Sequence, residues 1–115
     1  MVMLKKIHAV FYATAQGRMP VREWLLELPS DDRRAIGSDI ATVEYRWPIG
    51  MPTCRSMGDG LWEIRSDINS GRIARVLFGL HENKMILLHG FIKKSQKAPI
   101  AELNLARRRW KEVTR

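Results

Sequence analysis

"LWEIRSDINSGRIARVLF" (residues 61–78) reads as two β-strands joined by a polar turn. Successive side chains of a strand point to opposite faces of its sheet. Trp62, Ile64 and Ile68 therefore share one face of the first strand, and Glu63, Arg65 and Asp67 share the other. On the second strand Ala74, Val76, Phe78 and Leu80 lie together, with Arg75 on the opposite side between Ile73 and Leu77. Arginine is seldom buried without a partner. Two arginines in mid-strand imply a sheet with one apolar face and one face that carries cations.

Working outward, "HENK" (residues 81–84) is a tight turn. If Glu82 and Asn83 form a two-residue loop, His81 pairs with Lys84. Counting back, Leu77 meets Leu88, Arg75 meets Gly90 and Ile73 meets Ile92. Gly90, Ile92 and Lys94 then share Arg75's face, and Gly90 leaves open space opposite that arginine. A loop one residue longer would reverse the parity and bring His89, Phe91 and Lys93 to Arg75's side. The shorter loop favours Lys94 over Lys93. Residues 85–92 are apolar on both parities, as in a central strand covered on both faces.

Upstream, residues 5–13 read as a first strand. Pro20 suits the first turn of a helix, in which Val21, Trp24, Leu25 and Leu28 recur at helical spacing. Pro29 ends that helix. Ser30 is a candidate N-cap for the next one, with Asp31 and Asp32 favouring its positive end. Ile36, Ile40, Val43 and Trp47 form its apolar stripe, and Pro48 terminates it. Residues 48–60, rich in Pro and Gly, read as a loop. Pro99 opens a last helix with Ile100, Leu103, Ala106, Trp110 and Val113 on one side and Arg107, Arg108, Arg109 and Lys111 over the rest. The expected fold is a single α+β domain over residues 1–115. Its order is β-α-α-β-β-β-α, an antiparallel sheet with helices packed on one face and the other face partly open.

The chain carries 20 Lys and Arg against 12 Asp and Glu, a formal net charge of +8 with a sequence pI near 10.3. Such a surface attracts polyanions, of which nucleic acid is the commonest. The single cysteine, Cys54, has no partner for a disulfide, and His8, His81 and His89 lack metal-ligand spacing. No metal or other cofactor is expected, and a reducing, cytoplasmic compartment is the simplest reading. "MVMLKKIHAVFYATA" (residues 1–15) loosely imitates a signal peptide, but its apolar run is short and interrupted by His8. No stretch approaches the ~20 apolar residues of a membrane span.

The strand order, "DGLWEIRSD", "RIARVLF", and "HGFIKKSQKAP" followed by "AELNLARRR" together resemble the RelE/ParE superfamily of bacterial toxins. They look most like its phage-derived HigB-type branch of type II toxin–antitoxin modules. The resemblance implies a RelE-like fold and a ribosome-dependent mRNA endonuclease working in the ribosomal A site. It also implies a cognate antitoxin, a helix-turn-helix protein of HigA type. ParE members instead inhibit DNA gyrase, which is the alternative reading. Carried over by position, catalysis falls to Arg65, Arg75 and Lys94 or Lys93. Lys97, Arg107, Arg108 and Arg109 are candidates for contacts to RNA or the ribosome, the three arginines also reading as a solvated helix face. Metal-free RNA cleavage uses the 2′-hydroxyl as nucleophile, so cations must hold the extra charge on phosphorus and side chains must move two protons. Arginine presents a planar fork to phosphate oxygens, and lysine among other cations loses its proton more readily. No tyrosine follows Lys94, which leaves the general acid and base open. Each candidate also has a plainer role: Arg65 could pair with Asp67, Glu63 could pair with either arginine, and His89 could be a hydrogen-bonded core histidine.

Overall fold

The computed structural model describes residues 3–93 and 100–115. Lys94, Lys97 and Pro99 lie outside the described residues. The elements are β1 (His8–Phe11), α1 (Pro20–Glu27), α2 (Ser30–Arg46), β2 (Cys54–Gly58), β3 (Leu61–Ile68), a single 3-10 turn (Asn69–Gly71), β4 (Arg72–His81), β5 (Lys84–Lys93) and α3 (Ile100–Val113). The strands form one sheet in the order β1-β5-β4-β3-β2. The α+β class is as expected, and several details differ.

First, the sheet is mixed: β1 runs parallel to β5, His8 opposite Lys84 and Phe11 opposite Leu87. It is also shorter than residues 5–13, because the amides of Lys6 and Ile7 donate instead to the carbonyl of Glu44 on α2. The Glu44 carboxylate accepts the Ala9 amide at 2.8 Å and pairs with Lys5 at 3.1 Å. Second, residues 54–58 form a strand where a loop was expected. β2 pairs antiparallel with β3 through a tight turn in which Gly58, Asp59 and Gly60 all have positive φ. Asp-Gly there is the residue pair such a turn favours.

Third, the helices do not share one face. α1 and α2 cover Ile64, Ile68, Ala74, Val76, Phe78, Met85 and Leu87. α3 lies on the opposite face, where Ala106, Leu103, Trp110 and Val113 pack on Leu61, Leu77, Ile86 and Leu88. The apolar parity of residues 85–92 has its cause here, since β5 is central and is covered on both sides. Ser30 does not cap α2, which begins at that residue; Asp32 instead pairs with Arg72 at 2.8 Å and ties the start of α2 to the start of β4.

The tight turn at Glu82 and Asn83 is as read: both have positive φ and His81 pairs with Lys84. The register expected from it does not persist. Phe78 pairs with Leu87 but Leu77 pairs with His89, so Leu88 is an extra residue in β5. This β-bulge turns two consecutive side chains to one side and reverses the parity beyond it. Arg75 pairs with Phe91 and Ile73 with Lys93. The group on Arg75's face is therefore His89, Phe91 and Lys93, and Gly90 lies on the other face.

Two glycines seat the helices. A Cβ on Gly90 would stand 2.3 Å from the Trp24 ring of α1, and one on Gly79 would stand 2.4 Å from the Trp110 ring of α3. Each tryptophan lies flush on bare backbone, one on each face. Gly90→Ala should therefore lower the unfolding free energy by about 1–3 kcal/mol through overpacking. Gly37→Ala, in mid-α2 with open space around it, should raise it by about 0.5–1 kcal/mol. Urea denaturation of both variants checks the pair of signs.

Candidate nucleic-acid interface

The hairpin β3–β4 sets Arg65 directly opposite Arg75. Like charges in that position repel, and Glu63, two residues before Arg65 on the same face, resolves the conflict. Its carboxylate accepts from Arg75 Nη1 at 2.5 Å and lies 3.4 Å from Arg55 Nη2 on β2. Glu63 is 2% exposed and Arg75 5%. Arg75 is thus a buried, neutralised cation rather than an open one, and its Nε has no hydrogen-bond partner among the described residues. Arg55, half-exposed, escaped sequence reading because residues 48–60 were read as a loop. Its signal was the Gly-Asp-Gly turn, which pairs Arg55 with Glu63.

Arg65 is half-buried and forms no salt bridge among the described residues. Lys93 is half-buried at the end of β5, opposite Ile73. Arg55, Arg65, Arg75 and Lys93 therefore share one sheet face with Glu63 and Asp67. Four cations against two carboxylates leave that face positive. The plainer pairing of Arg65 with Asp67 is not formed. His89 makes a close contact to Glu102 in the first turn of α3 and stacks on Phe91 with ring centroids 5.6 Å apart. It is a partnered histidine at the junction of sheet and helix.

The three arginines of α3 go separate ways. Arg109 donates to the carbonyl of Leu88 at 2.8 Å and lies 5.5 Å over the Tyr12 ring. Burial lowers its pKa from the ordinary arginine value. It satisfies a backbone acceptor at the bulge and is engaged within the fold. Arg107 lies 3.7 Å from Asp59. Arg108 is exposed. Consecutive helical positions are about 100° apart, so the run "RRR" could not present one continuous patch. Among the described residues, no group of three His, Cys, Asp or Glu side chains is placed to hold a metal ion. None of the described helices is long and apolar enough to cross a membrane.

Cys54 is 1% exposed, and burial pushes its thiol up to about 11. Only about three in ten thousand molecules would carry the thiolate at pH 7.5, so the group is not a ready nucleophile. Ellman's reagent should leave Cys54 unmodified in the native protein and react once denaturant unfolds it. Glu63→Gln should cost about 3–5 kcal/mol of stability in urea denaturation, because it leaves a buried guanidinium without its carboxylate. Arg55→Met, at the exposed end of the same cluster, should cost about 1 kcal/mol or less.

Residues 23–111 match the family described as phage derived protein Gp49-like (DUF891). No curated protein matches the sequence. The matched region runs from α1 into α3 and includes Arg55, Glu63, Arg65, Arg75 and Lys93. The chain belongs to the Gp49-like phage-derived family, a RelE-related, toxin-like family of toxin–antitoxin systems.

Proposed function

We propose that this protein is the toxin of a type II toxin–antitoxin module and acts as a ribosome-dependent mRNA endonuclease. The observation that carries the reading is the cationic sheet face, with Arg65, among the described residues, in no salt bridge beside the buried Glu63–Arg75 pair. A guanidinium without an internal partner is ready to take a phosphate oxygen and to hold the added charge of the pentavalent transition state. Arg75 and Glu63 serve as the rigid base beneath it. Their ion pair keeps the strand register, and Glu63 orients Arg55 at the rim. Lys93 supplies a second cation on the same face. Arg108 and Lys111, exposed on α3, suit ribosomal RNA phosphates, whose neutralisation dominates such contacts. The cleavage uses the RNA's own 2′-hydroxyl and calls for no metal. The ribosome supplies the alignment of the message. The partner that silences the toxin is a cognate antitoxin, a helix-turn-helix protein of HigA type.

Primer extension on a defined mRNA, with and without translating ribosomes, tests the reading. New 5′ ends should appear only with ribosomes and in register with codons. Arg65→Ala should slow cleavage about 100-fold or more, the usual effect of removing one donor from a transition-state anion. Its urea midpoint should stay near that of the parent, since a half-exposed, unpaired side chain contributes little to stability. Intact mRNA in both reactions would sink the endonuclease reading, and loss of gyrase supercoiling activity in a parallel assay would establish the ParE-like alternative.

A further inference from the structure

β2 ends its pairing at Cys54, opposite Ile64, while β3 continues to Ile68. Beyond that point β3 has no outer neighbour strand among the described residues. The Arg65 amide donates to the Thr53 carbonyl at 2.9 Å, which holds the connection before β2 against β3. A cleft of about 470 Å³ opens between this connection, the edge of β3 and α2. Its polar wall comprises Ser38 and Asp39 from α2, Thr53 from the connection, and Arg65 and Asp67 from β3. The volume lies within the range of small-ligand sites.

Arg65, Asp39 and Asp67 line this cleft at the sheet edge, and among the described residues Arg65 closes on neither carboxylate. A ligand that satisfies such a wall must carry an anion for the arginine and N–H donors for the carboxylates. A nucleotide has both. Ionised carboxylates accept hydrogen bonds and never donate them. Guanine's Watson–Crick edge places N1–H beside the 2-amino group, two adjacent donors matched to a carboxylate fork. Adenine and cytosine offer one amino donor beside an acceptor nitrogen. Uracil offers one N–H between two carbonyl oxygens, which would face the carboxylates.

We propose that this cleft binds a guanine nucleotide unit of RNA, with Arg65 on its phosphate and Asp39 on the paired donors of the base. Asp67 lies two residues beyond Arg65 on the same strand face. Its negative charge keeps the phosphate at Arg65 and turns the base toward α2. Ser38 and Thr53 offer hydroxyls to the remaining polar edges of the nucleoside. The inference rests on the RNA-binding part of the proposed function and adds a base preference to it.

The test is an NMR titration of the purified, isotope-labelled chain with 5′-GMP, 5′-IMP, which lacks the 2-amino group, and 5′-UMP. GMP should shift the backbone signals of Ser38, Asp39, Thr53 and Arg65. It should bind about tenfold more tightly than UMP, in keeping with one well-formed bidentate base contact, with IMP between them. Asp39→Asn should reduce the difference to about twofold or less. Arg65→Ala should weaken all three nucleotides alike. Equal affinity for the three, or shifts centred on α3, would overturn the proposal. The same preparation goes into the ribosome assay, so the two readings fail separately. Cleavage without guanine preference sinks the cleft and leaves the endonuclease, and guanine binding without cleavage does the reverse.

Discussion

One extra residue in β5 determines which side chains meet on the cationic face. Leu88 is inserted opposite the Leu77–Phe78 step, and every pairing from His89 to Lys93 follows from it. Without the insertion, Lys93 would point into the α1–α2 core and Gly90 would lie beside Arg75. With it, His89 reaches Glu102 and Trp24 of α1 seats on Gly90. Bulges disrupt the ladder and leave backbone groups to be satisfied elsewhere. Arg109 does this for the Leu88 carbonyl. The bulge, the start of α3 and the face of the sheet are therefore one mechanical unit.

The second constraint is electrostatic. Setting Arg65 against Arg75 is unfavourable in isolation, and burying Arg75 is more so. Glu63 makes both tolerable by neutralising the buried member and leaving the half-exposed one without a partner. Buried ion pairs contribute little net stability compared with apolar packing, but losing one member costs several kcal/mol. The cluster sets a cation that is unpaired among the described residues at a defined place on a paired strand, the arrangement that the proposed anion site calls for.

The parts legible from sequence were those set by local chemistry. The hairpin alternation of Trp62, Ile64, Val76 and Phe78, the Glu82–Asn83 turn and the Pro20 helix start all depend on neighbours a few residues away. The parts that were not legible depend on tertiary partners. No periodicity announces a bulge within a continuous apolar run such as residues 85–92. The side on which α3 packs is chosen by Trp110 meeting bare backbone at Gly79, a fit between distant positions. The site suffered in the same way. Arg65 and Arg75 stood out correctly as strand cations on one face, but the burial of Arg75, the engagement of Arg109 with Leu88 and the presence of Arg55 depend on which strands are neighbours.

The parallel pairing of β1 with β5 has a consequence for how the chain is made. β3, β4 and β5 are joined by short turns and can zip as successive hairpins. β1 has its ladder partner in residues 84–87, with two helices and three strands between them in the chain. Loop closure over such a span is entropically expensive and is met only after local contacts have formed. Until then the N-terminal strand can be held through Glu44 of α2, which receives the amides of Lys6, Ile7 and Ala9. Glu44 thus gives β1 an anchor on a helix that does not depend on the β1–β5 ladder. The cationic face is therefore complete only once β5 has joined β4 and set Lys93 beside it.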